Sequence, residues 1–283
     1  MERAGTDQVV SASDFDKSIK MASPIGYGDR DLIDKVLSTE IEITRTGPSI
    51  TYIQTISMHN PFTVPDQERF NRMVEARMDK MHFSESRKTE SRIYKNVLST
   101  TMYTDETLRF FFEAFAKLPE YENTIFIITG DHRLPEIPLS TKIDRYHVPL
   151  IIYSPMLKKG RQIHSISSHL DIAPSFVALL RDSYHFETPS QVTWVGTGLD
   201  LAQNFRNIHQ YPLKQGKTVL HNYVDGLFFL DDGKLFQIQA DLDLVPLNDA
   251  DQLAKTKGRL DMYKAKNQQF LRSNKLYPDS IGY

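Results

Sequence analysis

Between Asp31 and Leu37 the apolar positions fall at helical spacing behind an acidic opening turn, which predicts a short helix after a polar, irregular lead-in over residues 1–30. Pro48 to Ser57 is rich in β-branched residues and reads as a buried strand with the Pro at its entrance, delivering Met58-His59-Asn60-Pro61-Phe62 at its carboxyl end. Gln67 to Met81 and Arg92 to Lys117 both carry helix periodicity, separated by a charged link from His82 to Ser91. In the second, Tyr94, Val97, Leu98, Met102, Leu108, Phe111, Phe112 and Phe115 recur at three and four, so Phe110-Phe111-Phe112 is core rather than an aromatic ligand box. Asp105 in this helix reads as exposed or capping. Thr124 to Ile128 then runs without a charge, as a strand buried on both faces does, and closes a strand, helices, strand unit.

Gly130 ends that run, and a Pro-containing loop over Leu134 to Thr141 leads to Lys142, Asp144, Arg145 and His147. Val148 to Tyr153 is a third apolar run, and Ser168 to Ser175 opens a helix through Leu180 with Asp171 placed as its N-cap. From about Trp194 the character shifts. His221 to Leu230 and Lys234 to Ala240 are strand-like runs joined by Asp231-Asp232-Gly233, a hairpin signal, and an amphipathic helix spans Asp249 to Asn274. The fold class is α/β, a mostly parallel sheet with helices on both faces over 1–200, followed by a small antiparallel hairpin and helix over 201–283.

A chain of 283 residues with 40% hydrophobic content can bury a full core. The formal net charge of -2, with neither sign in a long block, does not ask for nucleic acid. With no cysteine, disulfides, thiolate metal sites and a cysteine nucleophile are excluded. No run approaches the ~20 apolar residues that cross a bilayer, and no secretion signal opens the sequence.

Candidate chemistry gathers where the predicted strands end. Asp131 and His132 follow the central strand at the edge where open α/β sheets bind ligands, and offer a hard oxygen and a borderline nitrogen to a divalent cation. An ordinary surface turn is the competing reading of Gly-Asp. His59 arrives at the same kind of edge, where its ring could instead cap a turn before Asn60-Pro61. The basic groups around Lys142 and Arg145 could hold an anion or be solvated, and His169 is a further ligand or supporting candidate.

Taken in order, Ile56-Ser-Met-His59-Asn-Pro-Phe62, Tyr103-Thr-Asp-Glu-Thr-Leu108, Tyr121-Glu-Asn-Thr-Ile125 into Thr129-Gly-Asp-His132, His147-Val-Pro-Leu150 and Asp171-Ile-Ala-Pro174 resemble the sulfatase-like branch of the alkaline phosphatase superfamily. Within it they look most like the lipoteichoic acid synthase and phosphoglycerol transferase group. The similarity covers roughly 30–200, and Leu271 to Gly282 also looks familiar from bacterial members.

The resemblance implies a phosphoryl- or sulfuryl-transferring enzyme that uses one divalent metal ion (Mn, Mg, Zn or Ca) and a covalent intermediate on a hydroxyl. Asp131 and His132 match the family's late pair of metal ligands, and His59 matches a His that touches the substrate's anionic group. His147 and Arg133 join them on proximity in sequence. The family's nucleophile follows an earlier strand that also supplies an acidic ligand, and the chain begins too late to hold that unit. Thr6, Ser11, Ser13 and Thr39 do not stand in its place, so the resemblance implies the carboxyl-terminal half of a longer enzyme, inactive alone. Its expected partners are an anionic phosphate or sulfate ester such as a phospholipid head group, the missing half, and a second copy through an exposed sheet edge. The relatives work at the outer face of a bacterial membrane or in the periplasm. The alternative from a different class is a non-catalytic module that holds an anionic glycan or lipid head group.

Overall fold

The computed structural model describes residues 6–24, 26–42, 47–190, 192, 194–214, 216 and 220–273. The closing motif from 274 onward, with Tyr277-Pro278, lies outside the described residues. The protein falls into two compact units: the first takes 1–128, 134–137 and 151–157, the second 129–133, 138–150 and 158–283. The fold class is mixed α/β, with an antiparallel sheet toward the carboxyl end.

In the first unit α1 (Asp29–Glu42), α2 (Gln67–Lys80), α3 (Glu85–Arg92) and α4 (Lys95–Phe115) precede β1 (Phe126–Thr129), which pairs with β2 (Leu150–Tyr153) in a two-stranded sheet. The core forms where α1 and α4 meet: Ile33 and Leu37 pack on Phe111, Phe115 and Phe126, with Phe112 against the same cluster. The aromatic run is therefore core, as its spacing predicts. Arg30 stacks over the ring of Phe110, 3.2 Å from its centroid. Asp105 is exposed and pairs with Arg109 one turn on. A second cluster, Val64, Phe70 and Tyr103, joins α2 to α4, and Phe70 meets Tyr103 edge-on at 5.4 Å.

Three expectations need correction in this unit. Residues 48–57 form no strand: among the described residues they pair with none, and Ile50 is 98% exposed. β-branched residues favour a strand only where another strand offers its edge, and at the end of this segment the amides of Ile56 and Ser57 bond to a side chain, as shown below. Among the described residues the unit therefore shows no first strand of a βαβ crossover. Second, the charged link is a helix, α3. Ser84 caps it by accepting from the Arg87 amide at 3.3 Å, and it is held by charge rather than burial, with Lys88 2.8 Å from Asp79 and Arg92 2.8 Å from Glu75. A helix polar on every side carries no apolar stripe to read. Third, β1 is not buried on both faces. Only Phe126 is buried, and Ile127 on β1 and Ile151 and Ile152 on β2 remain exposed, because two strands alone cover little of each other.

The second unit holds α5 (Ile172–Tyr184), a five-stranded antiparallel meander of β3 (Gln210–Leu213), β4 (Asn222–Asp225), β5 (Phe228–Asp231), β6 (Lys234–Ile238) and β7 (Leu244–Pro246), and α6 (Ala250–Ser273). The expected hairpin is there: Asp232 and Gly233 both have positive φ, 45° and 81°, as a two-residue turn of this hand requires. His221 to Leu230, however, is two strands rather than one. The chain reverses at Gly226, φ 58°, a second Asp-Gly turn hidden inside an apolar run. One face of the sheet buries Phe229, Val224, Ile238 and Tyr211 together with Ile143, and the other packs Tyr223 and Leu230 on Leu260 of α6. Lys142 is exposed and pairs its ammonium with Asp231.

Two outcomes test this packing. Phe229 has no exposed surface, so Phe229→Ala is expected to destabilise the protein by about 3–5 kcal/mol, read by urea unfolding. Asp200 is buried, and the Arg206 guanidinium 2.7 Å away holds its carboxyl below the usual carboxylate range despite the opposing effect of burial. A lowered folded value stabilises above the unfolded value and is lost as the pH falls. Arg206→Ala should therefore lower the melting temperature at pH 7 by on the order of 1–2 °C, and the difference should close below about pH 4.

Candidate functional site

In the second unit Gly130 lets the chain turn where β1 ends. A Cβ there would stand 3.2 Å from the His132 carbonyl oxygen and 3.4 Å from Val148, closer than a side chain tolerates without movement. Asp131 and His132 are both exposed, and each is fixed by its own neighbour. Asp131 Oδ1 accepts from the His132 amide at 2.9 Å, and His132 Nδ1 lies 2.7 Å from the Arg133 carbonyl oxygen. A carbonyl only accepts, so Nδ1 carries the proton and Nε2 presents a lone pair. That nitrogen is 3.8 Å from Asp131 Oδ2.

This arrangement fits a divalent cation. With bonds of roughly 2.1 Å, donors at that separation would subtend about 130°, and a ligand His that gives its other N–H to a backbone carbonyl is the usual supporting pattern. Two donors are not a complete set. Among the described residues no three His, Cys, Asp or Glu side chains converge on one point. Arg133 is half-buried and contributes its carbonyl to the His132 ring; His147 is exposed, its amide bonded to the Asp144 carbonyl at 3.2 Å. His169 begins a 3-10 turn (His169–Asp171), and its Nε2 lies 2.9 Å from the Thr129 hydroxyl.

His59 belongs to the first unit, in a turn rather than at a strand end. Its ring is exposed, with Nδ1 3.0 Å from the Asn60 carbonyl oxygen, so it shares the tautomer of His132 and also turns Nε2 outward. The turn-capping reading of this ring and its availability to a ligand are thus compatible. Beside it lies a cleft of about 10 Å³ between Tyr27, Ser57 and Pro61, room for roughly one water.

What positions His59 is Asp29, which sequence reasoning passes over. Asp29 has no exposed surface; its Oδ1 accepts from the amides of Ile56 and Ser57 at 2.8 and 2.9 Å, and its Oδ2 from the Thr104 hydroxyl at 3.1 Å. The Asp29 amide donates to the Ser57 hydroxyl at 3.1 Å. The acidic opening of α1 was visible, but not the segment it would grip.

Asp171 plays the corresponding part in the second unit, and it stands at the expected N-cap position of α5. Its side chain makes no cap to α5. Fully buried, it accepts from the amides of Ser168 and Thr197, each at 2.9 Å, from that of Gly198 at 3.3 Å, and from the Tyr211 hydroxyl, whose pKa is pushed up by burial and by this carboxylate. Gly196 and Gly198 permit this: a Cβ on Gly196 would stand 1.8 Å from the Leu170 carbonyl oxygen, and Gly198 has φ 111°. His209, also missed, stacks on Tyr211 and places Nδ1 3.0 Å from the Thr197 hydroxyl.

Solved structures agree on the fold. A protein in that superfamily from Vibrio parahaemolyticus superposes with a TM-score of 0.56 at 18% identity, over 94% of this chain and 60% of that one. The lipoteichoic acid synthase LtaP from Listeria monocytogenes gives 0.54 at 15% identity, over 90% of this chain and 62% of that one. The chain belongs to the sulfatase family, whose profile matches residues 2–183. It is also 24% identical over 212 residues to lipoteichoic acid synthase 1 from Bacillus subtilis (strain 168), covering 70% of this chain and 29% of that protein. Members of the superfamily generally use a divalent metal.

Asp29→Ala is expected to destabilise the protein by on the order of 3 kcal/mol in urea unfolding, since a buried amide, a part-buried one and a hydroxyl lose their acceptor. Asp29→Asn, which keeps one acceptor oxygen, should lose less.

Proposed function

We propose that this chain supplies part of the catalytic apparatus of a metal-dependent phosphoryl transferase of the phosphoglycerol type, or of a hydrolase of phosphodiesters or sulfate esters. The reading is carried by the Asp131–His132 pair: a free carboxylate oxygen and a free imidazole nitrogen 3.8 Å apart, in a chain of the sulfatase family. Asp131 and His132 hold the cation. A bound divalent cation offsets the charge that grows on a transferring group and lowers the pKa of an attacking hydroxyl.

His59 contacts the anionic group of the substrate. With Nδ1 committed to Asn60, its outward Nε2 donates to a non-bridging oxygen when the ring carries both protons, a state that a nearby anion favours. His147 and Arg133 are assigned lesser parts in orienting that group. The substrate class is an anionic ester, including phospholipid head groups, and the place of action is the outer face of a bacterial membrane or the periplasm. No helix among the described residues is long and apolar enough to cross a membrane. The exposed flank of β1 and β2 suits a further strand, from the rest of the same polypeptide or from a second copy.

In the whole protein, Asp131→Ala combined with His132→Ala should lower turnover of an aryl phosphodiester or phosphoglycerol substrate by at least about 100-fold, with loss of bound metal by elemental analysis. Unchanged turnover would leave a non-catalytic module for an anionic head group as the better account. His59→Ala should cost about 100-fold in turnover while metal content holds; loss of metal would make His59 a ligand instead.

A further inference from the structure

Thr129 ends β1, one residue before the turn that carries Asp131 and His132, and its hydroxyl has two short contacts in the second unit besides a longer one of 3.4 Å to the Gly130 carbonyl oxygen. Oγ1 lies 2.7 Å from the Pro149 carbonyl oxygen and 2.9 Å from His169 Nε2. The hydroxyl has one proton to give, and a carbonyl oxygen can only accept. The proton therefore goes to Pro149, and the imidazole must donate, with Nε2 protonated. A threonine beside a histidine invites a nucleophile-and-base reading, which this proton count rules out: the ring nitrogen facing Thr129 has no lone pair with which to take a proton.

The hydroxyl thus joins three segments at one atom: the end of β1 that leads to Asp131, the residue just before β2 and two after His147, and the 3-10 turn that presents His169. Behind that turn the Asp171 carboxylate is fully buried and accepts four donors from Ser168, Thr197, Gly198 and Tyr211, which tie it to the rest of the unit. Among the described residues the ligand pair is fixed through bonds to adjacent residues, which set the bite of Asp131 and His132 but not the direction in which the turn as a whole points.

We propose that Thr129 and His169 are positioning residues that aim the Asp131–His132 turn at its cation, the hydroxyl serving as a joint and the ring as its brace. This rests on the metal-site reading given above. Supporting hydrogen bonds around metal ligands are typically worth 10- to 100-fold in affinity, so the joint is measurable even at a weak site.

The test uses the full chain, titrated with Mn2+ and followed through paramagnetic broadening of the histidine ring proton signals, with the melting temperature recorded for every variant. Thr129→Val keeps the shape and removes the hydroxyl; it should weaken Mn2+ binding by about 10-fold or more. Thr129→Ser restores the hydroxyl and should return the affinity to within about threefold. His169→Leu should match Thr129→Val, while His169→Gln, which retains a donor at the same reach, should match the parent. Weakened binding that neither conservative variant rescues, or that follows a fall in melting temperature, would mean the pair only holds the fold together and would overturn the proposal. If Asp131→Ala abolishes binding and Thr129→Val leaves it unchanged, the positioning role fails and the metal site stands. If Asp131→Ala binds Mn2+ as the parent does, the metal site fails and the positioning role with it.

Discussion

A carboxylate without exposed surface at the start of a helix must find donors, and in each unit of this protein it finds them on an irregular segment. Asp29, the first residue of α1, takes the amides of Ile56 and Ser57; Asp171, just ahead of α5, takes those of Thr197 and Gly198. The exchange satisfies both sides. Buried amides outside a sheet or helix need acceptors as much as a buried carboxylate needs donors, and one charged group with two oxygens can serve several at once. The result is loop backbone held as firmly as a strand, with its edge free of ladder partners. Candidate site residues sit beside both carboxylates' networks: His59 follows the gripped Ser57 by two, and His169 precedes Asp171 itself by two.

This device also explains what could be read from the letters and what could not. The spacing of Tyr103, Phe111 and Phe115 names their helix and its buried side, because 3.6-residue periodicity records burial directly. Pro48 to Ser57 misleads because a β-branched run records compatibility with a strand, while the hydrogen bonds that decide its fate come from a residue 27 and 28 positions earlier. α3 escapes notice for the opposite reason, having charge on every face and no burial to record. Asp131 and His132 are adjacent and follow a strand, so they are legible. Thr129 is not, since its role is defined by Pro149 and His169, 20 and 40 positions away.

Two of the imidazoles follow one rule. His59 and His132 each commit Nδ1 to the carbonyl of the next residue, which selects the tautomer through a contact local in sequence. Each ring is then a one-sided reagent whose Nε2 faces outward. A lone pair at that position suits a cation for His132, and the same atom, once protonated, suits an anion for His59. His209 shows the contrast. It is buried, its Nε2 finds no partner among the described residues, and Nδ1 bonds to a side chain rather than to its own backbone, so the ring belongs to the Asp171 and Tyr211 network.

Adjacent ligands also limit what a metal site can choose. Two side chains from consecutive residues share one turn, so their separation is set locally and is insensitive to movements elsewhere. That gives a dependable address for a cation but little selectivity, because one carboxylate oxygen and one imidazole nitrogen suit Mn, Mg, Zn and Ca to differing but overlapping degrees. Discrimination comes from coordination number and geometry, which only ligands from other segments can impose. In a site built on Asp131 and His132, then, the turn at Gly130 decides where the ion sits, and the groups that complete its coordination decide which ion it is.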